Sequence, residues 1–170
     1  DIEVRSTCAS TLCNLSTSAS DSVEGLIGVV DILEEQSHDP KIIQYSAKAL
    51  FSISCNKQYA ETLAQNASIL WRLFGMMRGG SLAAYVSTQL YAAKALCNLA
   101  CNEECALTLL AHGKVKDFIV IAILRTNNEE VKAVCAECLF NLLGFEKCRT
   151  EMIKESVLWA LIKLFRVESE

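Results

Sequence analysis

The sequence predicts an all-helical protein, and three observations carry that prediction. One proline and seven glycines in 170 residues leave little of the punctuation that a sheet of short strands requires. Alanine, leucine and lysine recur at helical spacing instead of alternating with polar residues. The chain also repeats itself. Sliding residues 45–67 onto 91–113 matches ten of twenty-three positions, among them Lys48/Lys94, Leu50/Leu96, Cys55/Cys101 and Asn56/Asn102. Ordinary composition gives roughly one or two matches by chance. A further copy follows at residues 135–156, where Leu139, Asn141 and Leu142 repeat Leu96, Asn98 and Leu99. Another, "CASTLCNLS", opens the chain at residues 8–16. The spacings of 38, 46 and 43 residues describe an imperfect array of helical units.

The elements follow from local signals. After the first long helix, "DSVE" (21–24) reads as a capping box, although residues 16–25 are too few for a full short helix, so this unit is degenerate. In "HDPK" (38–41), Asp39 is the N-cap and Pro40 the first helical residue of the next long helix. A short helix is expected at about 57–66, and "RGGS" (78–81) breaks the chain before a long helix at about 82–100. The extra length of that break accounts for most of the 46-residue spacing. Asn102 then caps a short helix to about residue 111, "HGK" (112–114) turns the chain, and the apolar run "FIVIAIL" lies in a helix at about 115–124. "RTNNEE" (125–130) combines a stop with a new start, its acidic residues falling in the first turn. A last short helix at about 146–154 and "ESVLWALIKLF" (155–165) complete the series. Trp71 and Trp159 fall near corresponding positions and read as packing residues.

Composition narrows the function. With 52% hydrophobic and 21% charged residues the chain is globular, and a net charge of −4 offers no general basic field for nucleic acid. "FIVIAIL" is far shorter than the roughly twenty residues a membrane span needs, and the acidic opening "DIEVRSTCAS" does not read as a signal peptide. Nine cysteines is an odd count, and most sit beside alanines in helical patterns, where a thiol acts as a small buried hydrophobe. A reducing cytoplasmic setting, with the nucleus also open, fits best. "CAEC" (135–138) lies mid-helix, not after a strand, and reads as inert packing. Cys97, Cys101 and Cys105 share a four-residue spacing, but with only two histidines in the chain no metal site is expected. The sequons "NLS" (14–16) and "NAS" (66–68) read as coincidental. No phosphate-binding glycine loop, nucleophile elbow or paired-histidine motif occurs, so neither an enzyme nor a cofactor is expected.

An A-x-x-L-x-N-L long helix, a capped short helix and a small residue opening an apolar helix together resemble the armadillo repeat. The resemblance covers nearly all of residues 1–170 as one domain, in units of roughly 1–15 (partial), 16–54 (degenerate), 55–100, 101–144 and 145–170 (partial). It implies a right-handed α-solenoid of three to four repeats, in which the long third helices line a concave groove. The chain starts on a third helix and ends on a second, so both ends read as cut from a longer solenoid that lacks polar caps here. HEAT repeats have a similar period, but the short helices favour the armadillo pattern.

On each long helix, the residues five and two before the asparagine and one after it form an apolar stripe, as in Ala93, Leu96 and Leu99. The opposite stripe holds the asparagine and the residues four and seven before it. These are Asn14, Ser10 and Thr7; Ser52, Lys48 and Tyr45; Asn98, Lys94 and Tyr91; Asn141, Glu137 and Val134. The resemblance implies that this stripe binds an extended peptide, with Asn14, Asn98 and Asn141 bonding its backbone and Ser52 a departure. An amide suits that task because it both donates and accepts. The importin-alpha branch carries tryptophan where this chain has Ser10, Lys48, Lys94 and Glu137, so a basic nuclear signal is not the expected ligand. Lys48 and Lys94 beside Tyr45 and Tyr91 look more like the basic groove of the beta-catenin type, which takes acidic segments. Glu137 disfavours an acidic ligand at its own end, so the expected partner is an acidic or mixed-charge protein segment. The same residues also read as solvated lysines and as tyrosines packed between units. The expected role is a protein-binding scaffold or adaptor, without nucleic-acid or membrane partners. A cytoskeletal or ciliary assembly associating through its solenoid ends, and a regulatory segment of a larger enzyme such as a ubiquitin ligase, are the alternatives.

Overall fold

A computed structural model of the chain describes residues 2–16, 25, 27, 28, 30, 39–78, 83–153 and 155–165. The capping box expected at residues 21–24 and most of the break at 78–81 lie outside them. The described residues form ten continuous helices and no strand. Four are long: α1 (Ile2–Ser16), α2 (Pro40–Ser54), α5 (Ala83–Leu99) and α8 (Glu129–Gly144). Three are short: α3 (Lys57–Gln65), α6 (Glu103–Ala111) and α9 (Glu146–Met152). Three of eleven residues each, α4 (Ala67–Met77), α7 (Val115–Arg125) and α10 (Glu155–Phe165), follow the short ones. Ile27 and Val30 add buried helical positions between α1 and α2.

Asparagine and aspartate set five of the starts, because a short polar side chain can satisfy a backbone N–H that has no partner within the helix. Asp39 accepts from Lys41 N at 2.8 Å, and Pro40, which has no N–H to lose, occupies the first position of α2. Asn56 accepts from Gln58 N at 3.0 Å, Asn66 from Ile69 N at 3.1 Å, Asn102 from Cys105 N at 3.1 Å and Asn128 from Val131 N at 2.9 Å. Asn66 is thus a cap, closing α3 and opening α4 in one residue. Gly113, at φ 72°, makes the left-handed turn between α6 and α7, a conformation that a Cβ would strain.

The helices stack in three series. Among the long helices α1 packs on α2, α2 on α5 and α5 on α8. The short helices pair α3 with α6 and α6 with α9, and the middle helices pair α4 with α7 and α7 with α10. Within each unit the middle helix also meets the long helix that follows it, α4 on α5 and α7 on α8. One contiguous core runs through all of them. Phe74 of α4 stacks on Phe118 of α7 with centroids 5.2 Å apart, and the Arg78 guanidinium lies 5.5 Å from the Phe118 ring centre. Gln89, buried on α5, donates to Met77 O at 2.8 Å and so satisfies a carbonyl at the C-terminal end of α4.

One register governs the packing of the long helices. Ile42, Ser46, Ala49 and Ile53 on α2 correspond to Thr88, Ala92, Ala95 and Leu99 on α5, and to Val131, Cys135, Cys138 and Leu142 on α8. None of the twelve is more than 3% exposed. Their small middle residues allow the backbones to approach closely. Ser46 is the misfit: its hydroxyl is buried and has no hydrogen-bond partner, where the equivalent residues are Ala92 and Cys135. Ser46→Ala is therefore expected to raise stability by about 1 kcal/mol, since an unsatisfied buried hydroxyl is removed without leaving a cavity. The midpoint of urea unfolding at unchanged slope measures this, and an unchanged or lower midpoint counts against it.

Candidate functional site

The polar stripe singled out from the sequence is displayed on all four long helices. Ser10 is half-buried and Asn14 exposed on α1; Lys48 is exposed and Tyr45 and Ser52 half-buried on α2. On α5 Tyr91, Lys94 and Asn98 are half-buried, and on α8 Glu137 is exposed while Val134 and Asn141 are half-buried. The opposite, apolar stripe faces inward as the helical period requires, with Ala93, Leu96 and Leu99 all buried.

Several of these side chains already hold partners, and the partners lie in neighbouring units. Asn98 Nδ2 donates to Ser54 Oγ at 3.0 Å and to Cys55 Sγ at 3.5 Å, at the end of the preceding long helix. Asn141 repeats the arrangement one unit on, donating to Cys101 Sγ at 3.2 Å and Cys97 Sγ at 3.5 Å. Asn98 and Asn141 thus tie α5 to α2 and α8 to α5. Tyr91 packs against Phe51 of α2, with ring centroids 6.0 Å apart and planes tilted by 33°. Lys94 Nζ pairs with Glu130 Oε1 of α8 at 2.8 Å, in an ion pair whose side chains are 31% and 59% exposed. Ser52 Oγ donates to Lys48 O at 3.0 Å within its own helix. Lys48 itself forms no ion pair among the described residues. Charge along the stripe therefore runs from cationic at α2, through a neutralised α5, to acidic at α8.

Sequence reasoning missed a cleft of about 460 Å³ beside this stripe, lined by Ser54, Cys55, Lys57 and Ala60 around the end of α2 and the start of α3 and by Asn98, Cys101 and Asn102 at the equivalent place one repeat on. The signal that could have found it is the Cys-Asn pair repeated at Cys55/Asn56 and Cys101/Asn102, which places equivalent helix ends side by side. The cleft brings Lys57, two cysteines and two asparagines to a single junction. Such a mixture suits a peptide backbone with a nearby carboxylate.

The cysteines are free thiols with two kinds of surroundings. Cys8, Cys55 and Cys101 are exposed and the other six buried. Burial pushes the Cys97 thiol up to about 12, helped by the charges of Glu137 and Cys101 and opposed by the Asn141 hydrogen bond. Burial likewise raises Cys135 to about 12 and Cys138 well above the ordinary thiol range. The "CAEC" thiols therefore stay protonated at neutral pH, the opposite of the low thiolate pKa that disulfide exchange exploits. Among the described residues no group of three or more histidine, cysteine or acidic side chains is arranged to hold a metal ion. None of the described helices is long and apolar enough to cross a membrane. Trp71 is exposed on α4, its ring 5.3 Å from Lys114 Nζ, and Trp159 is exposed on α10.

Two expectations follow from these side chains. Cys97 and Cys135 hold their protons to about pH 12 in the folded chain, against an ordinary value of 9.0. Below pH 9 both folded and unfolded chains are protonated, and the full stabilisation is present. Above it the unfolded chain binds fewer protons, so stability falls as pH rises towards about 12. Unfolding midpoints across that window should decline less steeply for Cys135→Ala, and parallel curves would refute this account. The Lys94–Glu130 pair, being exposed, is expected to couple by about 0.2–1 kcal/mol in a double-mutant cycle and to weaken with added salt.

Comparison of the chain with protein families found no match, and comparison with curated proteins found none.

Proposed function

We propose that the chain is a right-handed armadillo-type α-solenoid of about three and a half repeats that binds a protein segment in extended conformation along its long helices. The observation carrying this reading is the polar stripe kept in register over four successively packed long helices, beside an inter-unit cleft. A solenoid offers little else for chemistry: the buried thiols are protonated, and the stripe holds no nucleophile paired with a base. Side chains repeating from helix to helix instead suit a ligand that itself repeats, which is what an extended backbone does.

The pairing pattern sharpens the ligand. With Lys94 engaged by Glu130, the cations available to a carboxylate are Lys48 and Lys57, the latter in the cleft. Glu137 at the other end favours a basic residue. The ligand is thus a mixed-charge segment, acidic where it meets α2 and basic where it meets α8. Asn98 and Asn141 spend their N–H groups on the preceding unit and present their carbonyl oxygens as acceptors for peptide N–H groups. Lys48 and Lys94 do not act as an equivalent pair in this reading, which departs from the expectation drawn from sequence.

Selection from a random peptide library displayed on phage tests it directly. Peptides enriched on the wild-type chain should carry an acidic residue on one side and a basic one on the other. Lys48→Glu should weaken a selected peptide by about 1 kcal/mol or more and strip the acidic preference on reselection. Absence of enrichment, or enriched sequences indifferent to Lys48→Glu, would sink the reading.

A further inference from the structure

The cleft beside the stripe holds two of the chain's three exposed thiols. Cys55 and Cys101 line it, while Cys8, the third, lies on α1 and takes no part in its walls. Around the thiols stand Ser54, Lys57, Asn98 and Asn102, so one cavity combines a cation, a nucleophilic sulfur and amides that both donate and accept. Its volume of about 460 Å³ falls within the roughly 300–1,000 Å³ of small-molecule sites. Cys55 closes α2 and Lys57 opens α3 two residues later, so thiol and cation belong to one tight turn of the chain. Two hydrogen bonds hold the Cys55 side chain in place. Its thiol donates to Phe51 O at 3.4 Å, and its sulfur accepts from Asn98 Nδ2 at 3.5 Å.

The two thiols of the cleft meet different charges. Burial raises the Cys101 thiol above its ordinary value, and the Glu137 carboxylate adds to that rise. Glu137 stands four residues before Asn141, the amide that donates to Cys101. The residue four before Asn98, the amide that donates to Cys55, is Lys94. An anionic reagent is therefore opposed by a carboxylate at Cys101, while at Cys55 the corresponding residue is a lysine neutralised by Glu130.

We propose that Cys55 is a modification site: it forms a mixed disulfide with a small acidic peptide thiol of the glutathione type, whose carboxylate the cleft holds at Lys57. Such a thiol offers carboxylates and peptide groups, which match the lysine and the asparagine amides of the cavity. The reagent is the oxidised, disulfide form of that peptide. The Cys55 thiol gives up its proton, its thiolate attacks one sulfur of the disulfide, and a new S–S bond forms as the old one breaks. The other half of the reagent leaves as a thiolate and takes up a proton. Cys55 is thereby oxidised and the released peptide thiol reduced, with no further oxidant needed. The attached peptide then occupies the place given to an extended segment beside α2, a consequence that rests on the peptide-binding reading above.

Timed reaction of the full chain with glutathione disulfide and with neutral 2-hydroxyethyl disulfide, each adduct located by peptide mass mapping, tests it. The ratio of the glutathione rate to the neutral-reagent rate should be higher at Cys55 than at Cys8 by about fivefold or more, the scale of one favourable charge contact at an exposed site. Lys57→Glu should bring that ratio at Cys55 down to the Cys8 value or below, while changing the neutral-reagent rate far less. The variant keeps the fold, because a carboxylate is favourable in the first turn of a helix. Equal ratios at Cys55 and Cys8, a ratio at Cys55 indifferent to Lys57→Glu, or faster glutathione transfer to Cys101 than to Cys55 would each overturn the inference. In a second arm, the Cys55 adduct should bind a library-selected peptide about tenfold or more weakly, and reduction should restore binding. Undiminished binding by the adduct would overturn its placement on the ligand's path. A chain that selects no peptide sinks the extended-segment reading alone, since adduct formation is measured without any peptide and still decides the assignment of Cys55.

Discussion

The structure depends on the burial of one face of each long helix against the helices that come before it. On α2, α5 and α8 this face is built from large residues at its ends and small ones between, as in Ile42, Ser46, Ala49 and Ile53. The small residues bring neighbouring backbones close, while the large ones fill the space at the ends of the contact. No single unit can remove that face from water alone. Stability therefore resides in the junctions between units as much as within them.

The other features follow from having to repeat this junction. Once the small-residue face is fixed, the helical period places Asn98 and Asn141 at the edge of the contact, within reach of the preceding helix end. There they meet Cys55 and Cys101, whose sulfurs accept the amide protons. Cysteine suits these positions because it is small enough for the junction and still a weak acceptor. The raised pKa of Cys97 and Cys135 belongs to the same burial, so the abundance of cysteine reflects packing. Ser46 shows what the junction tolerates: its hydroxyl fits by volume although nothing accepts its proton.

Much of the fold was legible in the sequence because its signals are local. The caps at Asp39, Asn102 and the "TNNEE" segment read directly as helix starts, and the repeat gave the pairing of long helices. The expected long helix at 82–100 is Ala83–Leu99, and the expected short helix ending at 111 is Glu103–Ala111. The candidate site was legible only as a stripe. That Lys94 meets Glu130, thirty-six residues on, depends on the distance between α5 and α8, which no spacing within either helix encodes. Tyr91 against Phe51 is hidden for the same reason: its partner position is Cys97 in one unit and Phe140 in the next, so the repeat does not announce an aromatic pair. Cross-unit contacts are where the copies differ most. There the averaging that reveals a repeat also erases the individual site.

This division bears on how a regular scaffold acquires a specific surface. The asparagine–thiol contacts hold the amide planes of Asn98 and Asn141 against the preceding unit, which fixes their rotamers before any ligand arrives. On the proposed reading, a bound segment would lose less entropy for each backbone hydrogen bond, because the protein side of the contact is already ordered. The same restraint makes the stripe asymmetric. Where the ladder is complete, at Asn98 and Asn141, the amides are held; at Ser52 the amide is missing and Lys48 stands exposed beside it. The two ends of the stripe therefore differ in hydrogen bonding as well as in charge. On the proposed reading, a ligand lying along it would meet an exposed cation at α2 and held amides at α5 and α8, and that difference would give it a single preferred direction.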